Sequence, residues 1–196
     1  MRQYTAWIAV TLLVLLSFLV SQFCPDLLRY DREALLSGEV WRLLTAHFSH
    51  LSLAHMGLNL AALALTAYVA RPGRSAGYHF CLWLWLCLFT GAGLLAGAPD
   101  LYFYVGLSGA LHGALVIYIA DSPFYSRLVR RLVVVIVIGK IFWEQSPWFD
   151  DMSNAGFIGG RTETRSHLLG VVAGLIWVGV EYIRSIYERE KRSLDR

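Results

Sequence analysis

Six apolar stretches, near residues 4–23, 51–70, 78–97, 105–120, 127–143 and 165–186, follow one another along the chain with short polar segments between them. At about 1.5 Å of rise per residue, most of them are long enough to cross the roughly 30 Å hydrocarbon layer of a bilayer as helices. The fourth is short and glycine-rich, and the fifth contains Lys140, which a span tolerates near its end by snorkelling to the interface. Composition agrees with a lipid solvent: 57% of residues are hydrophobic and 16% charged, with a mean hydropathy of +0.52, whereas a soluble surface has to be polar. The pattern predicts an all-α membrane protein, a bundle of six transmembrane helices. It forms a single domain over residues 1–196, since no Pro/Gly/Ser-rich stretch reads as a linker. The run from Tyr4 to Phe23 is long for a signal peptide and no A-x-A-like cleavage site follows it, so it is expected to stay as the first span.

The charges between the stretches set an orientation. Arg2, Arg71, Arg74, Arg127, Arg130, Arg131, Arg184, Arg189, Lys191, Arg192 and Arg196 fall on one side, against Arg29, Arg32, Arg42, Arg161 and Arg165 on the other. Cytoplasmic loops collect Lys and Arg, so both termini are expected in the cytoplasm. Most of the loop carboxylates, Glu144 among them, then lie outside. The formal charge of +3 is small, and the basic residues do not form a patch with interleaved aromatics, which speaks against nucleic acid. Cys24, Cys81 and Cys87 are an odd set without metal-ligand spacing.

In this orientation spans 2, 4 and 6 all run inward, so their first turns share one depth near the outer face. On those turns lie His55 and Asn59, Ser108 and His112, and His167. Polar groups are costly in hydrocarbon, and a convergent set of them marks a site. Ser108 sits in Gly106-Leu107-Ser108-Gly109 at a helix start, where free backbone N–H groups are able to bind an oxyanion, and the flanking Gly106 and Gly109 are expected to let another helix pack closely. Taken alone, such a serine more often bonds its own backbone. His167 precedes Gly170 and Gly174, whose face is able to pack closely on Gly109 and Gly113 of span 4, bringing Ser108 and His167 together as nucleophile and base. A lone histidine in a span is otherwise a hydrogen-bonded structural residue. His55 and Asn59, at i and i+4, share a face and offer donors for an oxyanion or for contacts between helices. A metal on His47, His50 and His55 is disfavoured, because their spacing does not put all three on one helical face. No cofactor is called for.

Glu39-Val40-Trp41-Arg42, His50, His55, Asn59, Gly106-x-Ser108-Gly109 and His167-x-x-Gly170-x-x-x-Gly174 together resemble the rhomboid intramembrane serine proteases over about residues 39 to 174. More narrowly, the run from Gly106 to Gly113 in a compact chain resembles the bacterial rhombosortase branch. The resemblance implies a six-helix bundle with a water-filled cavity open to the periplasm, and a Ser108–His167 dyad without a third acid. The oxyanion would be held by the Ser108 N–H with His55 and Asn59. Glu39, Trp41 and Arg42 would belong to a structural first loop, and span 5 with the loop carrying Trp143, Trp148, Phe149 and Gly159-Gly160 to a gate and cap. Most rhomboids carry an aromatic residue where this chain has His112, which would orient His167 by stacking or hydrogen bonding, or would itself be the base. The branch implies substrates that are membrane-anchored proteins with a C-terminal tail of Gly-rich motif, spanning helix and basic cluster. It places the protein in the inner membrane of a bacterium. Two other readings stay open: an inactive rhomboid-like binder of spanning helices, and a channel or transporter lined by His and Asn.

Overall fold

The computed structural model describes residues 4–194. Its helices are α1 (Thr5–Phe23), α2 (Pro25–Leu28), α3 (Arg32–Leu36), α4 (Arg42–Thr45), α5 (Leu53–Val69), α6 (Ala76–Gly97), α7 (Ser108–Asp121), α8 (Arg127–Glu144), α9 (Ala155–Ile158) and α10 (Thr164–Leu194). A two-residue antiparallel pairing of β1 (Tyr30–Asp31) with β2 (Phe103–Tyr104) sets Tyr30 opposite Tyr104. The long helices α1, α5, α6, α7, α8 and α10 coincide with the six apolar stretches, and the molecule is an all-α membrane bundle.

Local sequence explains where several helices begin. Ser52, Ser75 and Ser126 each accept a hydrogen bond from the backbone N–H three residues on, at the starts of α5, α6 and α8, and Asp31 caps α3. Each supplies an acceptor to an N–H that the helix itself cannot satisfy. Among the described residues, α1, α6 and α10 are individually long and apolar enough to cross a membrane. A fourth crossing is available if the bent pair of residues 42–48 and α5, at 94° to each other, counts as one span. α8 misses this standard because of Arg127, Arg130, Arg131, Lys140 and Glu144. α7 misses it on length, since 14 residues rise only about 21 Å.

α7 is short because it is internal. It packs against α5, α6, α8 and α10, and Gly109, Ala110, Gly113, Ala114, Val116 and Ile117 are buried. Its closest partner is α10. A Cβ on Gly170 would collide with the Gly109 carbonyl oxygen, one on Gly113 with the Gly170 carbonyl oxygen, and one on Gly174 would lie 2.6 Å from the Gly113 oxygen. The two backbones therefore touch with no side chain between them, as expected where small residues recur every four positions in a membrane helix. Gly106, expected with this packing set, plays a different part. It precedes α7 at φ +124°, and a Cβ there would stand 2.8 Å from the His55 ring. The positive φ, which a side chain disfavours, turns the chain into α7.

The segment between α1 and α5 is pinned by Arg42, which is 7% exposed. Its guanidinium donates to the Arg29 carbonyl at 2.9 Å, to the Asp26 carbonyl at 2.5 Å, and to Glu39 Oε2 at 2.8 Å. Truncation leaves these acceptors without a donor in a largely buried place. Arg42→Ala is therefore expected to lower stability by about 2–3 kcal/mol, read as an earlier thermal unfolding in detergent with little change in any intrinsic activity of the survivors.

Candidate active site

The turn ahead of α7 is fixed from two directions. The Gly106 N–H donates to the Ala46 carbonyl at 2.9 Å, and the buried Tyr104 hydroxyl donates to the Gly106 carbonyl at 2.6 Å. β1–β2 pairing holds Tyr104 in place. Ser108 is thereby set at the first position of α7, where the leading N–H groups have no acceptor within the helix. His167 stands on the first turn of α10, just beyond Ser166, whose hydroxyl donates to the Glu163 carbonyl at 2.7 Å. Contact between the glycine faces brings the two side chains together: Ser108 Oγ lies 2.9 Å from His167 Nε2.

One face of the His167 ring is covered by His112, with ring centroids 4.2 Å apart and planes inclined by 26°. His112 Nδ1 lies 2.7 Å from the Ser108 carbonyl oxygen, and its Nε2 lies 3.0 Å from Lys140 Nζ. A carbonyl only accepts and an ammonium only donates, so Nδ1 carries the hydrogen and Nε2 the lone pair. Both nitrogens are spoken for and neither faces Ser108 Oγ. Of the two roles considered for His112, this geometry favours support of His167 over that of base.

His55 and Asn59 lie on one face of α5, as their spacing requires. The Asn59 amide donates to the His55 carbonyl at 3.0 Å and is 4% exposed. His55 Nδ1 is a weak acceptor for the Leu51 N–H at 3.5 Å, leaving its opposite edge toward the turn at Gly106. Both residues line a cavity of about 580 Å³ together with Ser108, His112 and His167. This cavity lies between α5 and α8 with α7 behind it. The segment after α8 roofs it with Phe149, Phe157 and Ile158, and the Ser52 hydroxyl holds that roof by donating to the Ile158 carbonyl at 2.9 Å.

Sequence reasoning missed two residues here. Glu144 was expected in an outer loop, yet it ends α8, is 7% exposed, and places Oε2 2.9 Å from His167 Nδ1. Lys140, expected to snorkel, turns inward and pairs with Glu144 Oε1. Opposite charges at i and i+4 within an apolar run were the available signal, since intramembrane charges pair with one another and face the bundle interior. Among the described residues His112, Glu144 and His167 also form a group whose potential ligand atoms lie within 4.8 Å of one another. Hydrogen bonds account for all of those atoms, and the Lys140 ammonium occupies the cationic position. His47 and His50 are buried apart from it, His50 lying edge-on to His55 at 5.0 Å.

A family model described as the Rhomboid domain matches residues 37–183. "Rhomboid protease GluP" of Bacillus subtilis (strain 168) is 26% identical over 138 residues, which are 66% of this chain and 26% of that protein. The present chain thus spans about a quarter of the length of the curated relative it matches.

Proposed function

We propose, from the premise that this chain belongs to the rhomboid family, that it is an intramembrane serine protease with Ser108 as nucleophile and His167 as base. The observation that carries this reading is the 2.9 Å contact between Ser108 Oγ and His167 Nε2 at the wall of a cavity. His167 Nε2 takes the Ser108 proton as Oγ bonds to the scissile carbonyl carbon. The electron pair driven onto the carbonyl oxygen is met by the Ser108 N–H, with His55 and Asn59 as further donors. His167 then returns the proton to the departing amine, and water releases the acyl group by the reverse sequence.

The substrate class we infer is a membrane-anchored protein with a C-terminal tail of Gly-rich motif, spanning helix and basic cluster, as in the rhombosortase branch. The run from Gly106 to Gly113, with His112 in place of the usual aromatic residue, supports this. So does the physics of access: a spanning helix has to unwind before its carbonyl reaches Ser108, and glycine lowers that cost by about 1 kcal/mol per residue relative to alanine. The excess of Lys and Arg on one side supports cytoplasmic termini in a bacterial inner membrane, with the site facing the periplasm.

A serine-reactive fluorophosphonate tests the reaction. The wild type is expected to take up the probe and Ser108→Ala to take up none, whereas a folded wild type that stays unlabelled favours an inactive binder of helices. Mass spectrometry of new C-termini on co-expressed tail-bearing proteins tests the substrate class, and intact tails would refute it.

A further inference from the structure

We propose that Glu144 is a positioning residue for His167, so that Ser108, His167 and Glu144 form a triad whose carboxylate is held by Lys140; this rests on the protease reading above. Four contacts carry it. His167 presents Nε2 to Ser108 Oγ and Nδ1 to Glu144 Oε2, both at 2.9 Å. The side chains of His167 and Glu144 are 7% and 5% exposed. Lys140, one turn before Glu144, binds its other carboxylate oxygen and reaches His112 Nε2 at 3.0 Å.

The chemistry follows from what each atom is able to do. An ionised carboxylate only accepts, so Nδ1 of His167 must carry the hydrogen, which leaves the lone pair on Nε2 facing the serine. The alternative tautomer would put a hydrogen where the serine proton has to go. When Oγ attacks, its proton passes to Nε2, and the positive charge on the ring lies beside Glu144, which stays ionised throughout. A buried carboxylate with no counter-charge would be costly. The Lys140 ammonium supplies that charge in the resting state, and its contact with His112 ties the stacked ring to the same helix. Ser108, His167 and His112 thus lie on α7 and α10, whereas the acid and its partner come from α8.

The test uses the whole 196-residue chain in detergent with a fluorophosphonate, since phosphonylation of Ser108 needs the same proton transfer as attack on a peptide. Glu144→Gln is nearly isosteric and presents an amide of either orientation to Nδ1. It is expected to lower kinact by about 10²-fold or more with KI unchanged, and Glu144→Asp to recover part of that loss. Lys140→Met, which keeps the carboxylate, is expected to cost less than Glu144→Gln. Ring-¹⁵N NMR, with His167 assigned by difference against His167→Gln, should find the Nδ1–H tautomer in the wild type and a mixture in Glu144→Gln. Labelling of Glu144→Gln within twofold of a reactive wild type, or an unchanged tautomer, would overturn the role of Glu144 and leave the protease reading intact. An unreactive wild type would instead sink the protease reading, and the NMR result would still decide whether Glu144 sets the tautomer. Reactivity lost to a chelator and restored by Zn²⁺ would also overturn it, by making His112, Glu144 and His167 ligands.

Discussion

His167→Ala is expected to slow reaction at Ser108 by about 10⁴-fold or more, while His112→Ala slows it by about 10–100-fold. The asymmetry follows from where the nitrogens point. His167 Nε2 stands 2.9 Å from Ser108 Oγ and is the acceptor for its proton. Without that acceptor the hydroxyl is a poor nucleophile, and only the oxyanion donors and binding remain. His112 donates Nδ1–H to the Ser108 carbonyl and accepts from Lys140, so its removal takes away a stacked neighbour and leaves the base in place. The loss is one of alignment, for which a displacement near 1 Å is worth about 10² in rate. Fluorophosphonate labelling rates of the two variants, at matched amounts of folded protein, measure the difference. A dead His112→Ala beside a reactive His167→Ala would reverse the two assignments.

Gly170→Ala is expected to damage both reactivity and stability, although it touches no reacting group. The added methyl would fall on the Gly109 carbonyl oxygen, and a backbone is not able to step aside as a side chain does. α7 and α10 have to separate, at a cost of about 1–3 kcal/mol or more for an overpacked contact. Ser108 and His167 separate with them, because each lies within one turn of this contact on its own helix. Labelling should fall by about 10²-fold, together with an earlier thermal unfolding. Gly179→Ala, on the same helix, is the control: nothing lies within 4 Å of its added methyl, so labelling and unfolding should stay near wild type.

Much of this arrangement was legible in the sequence, for physical reasons. A bilayer demands long apolar runs, so the positions of the six long helices could be read directly. The four-residue spacing of Gly109/Gly113 and Gly170/Gly174 implied a close contact between two helices, and Ser108 and His167 on neighbouring first turns then had to be near each other. The sequence did not reveal which way a charged side chain turns at the end of a span. Lys140 and Glu144 satisfy the rule for residues near the interface equally well whether they face lipid headgroups or the bundle, and only the packed neighbours decide. That the fourth stretch is short was legible, but not that its neighbours enclose it, and an enclosed helix need not match the thickness of the lipid. Gly106 was grouped with the packing glycines from its neighbourhood, when its own positive φ was the reason for it.

The seam between α7 and α10 has a mechanical consequence. Backbone pressed on backbone has no rotamers to exchange, so that side of the cavity is its stiff jaw. α8 forms another wall, where Val137 and Ile141 pack as side chains on Val116 and Val171, and where the charged Lys140–Glu144 turn meets the histidines through polar contacts. Side chains and polar contacts are able to rearrange where touching backbones are not, so widening of the cavity for an incoming chain is expected on the α8 side. A reporter placed on α8 should register occupancy of the cavity, and one placed on the glycine seam should not.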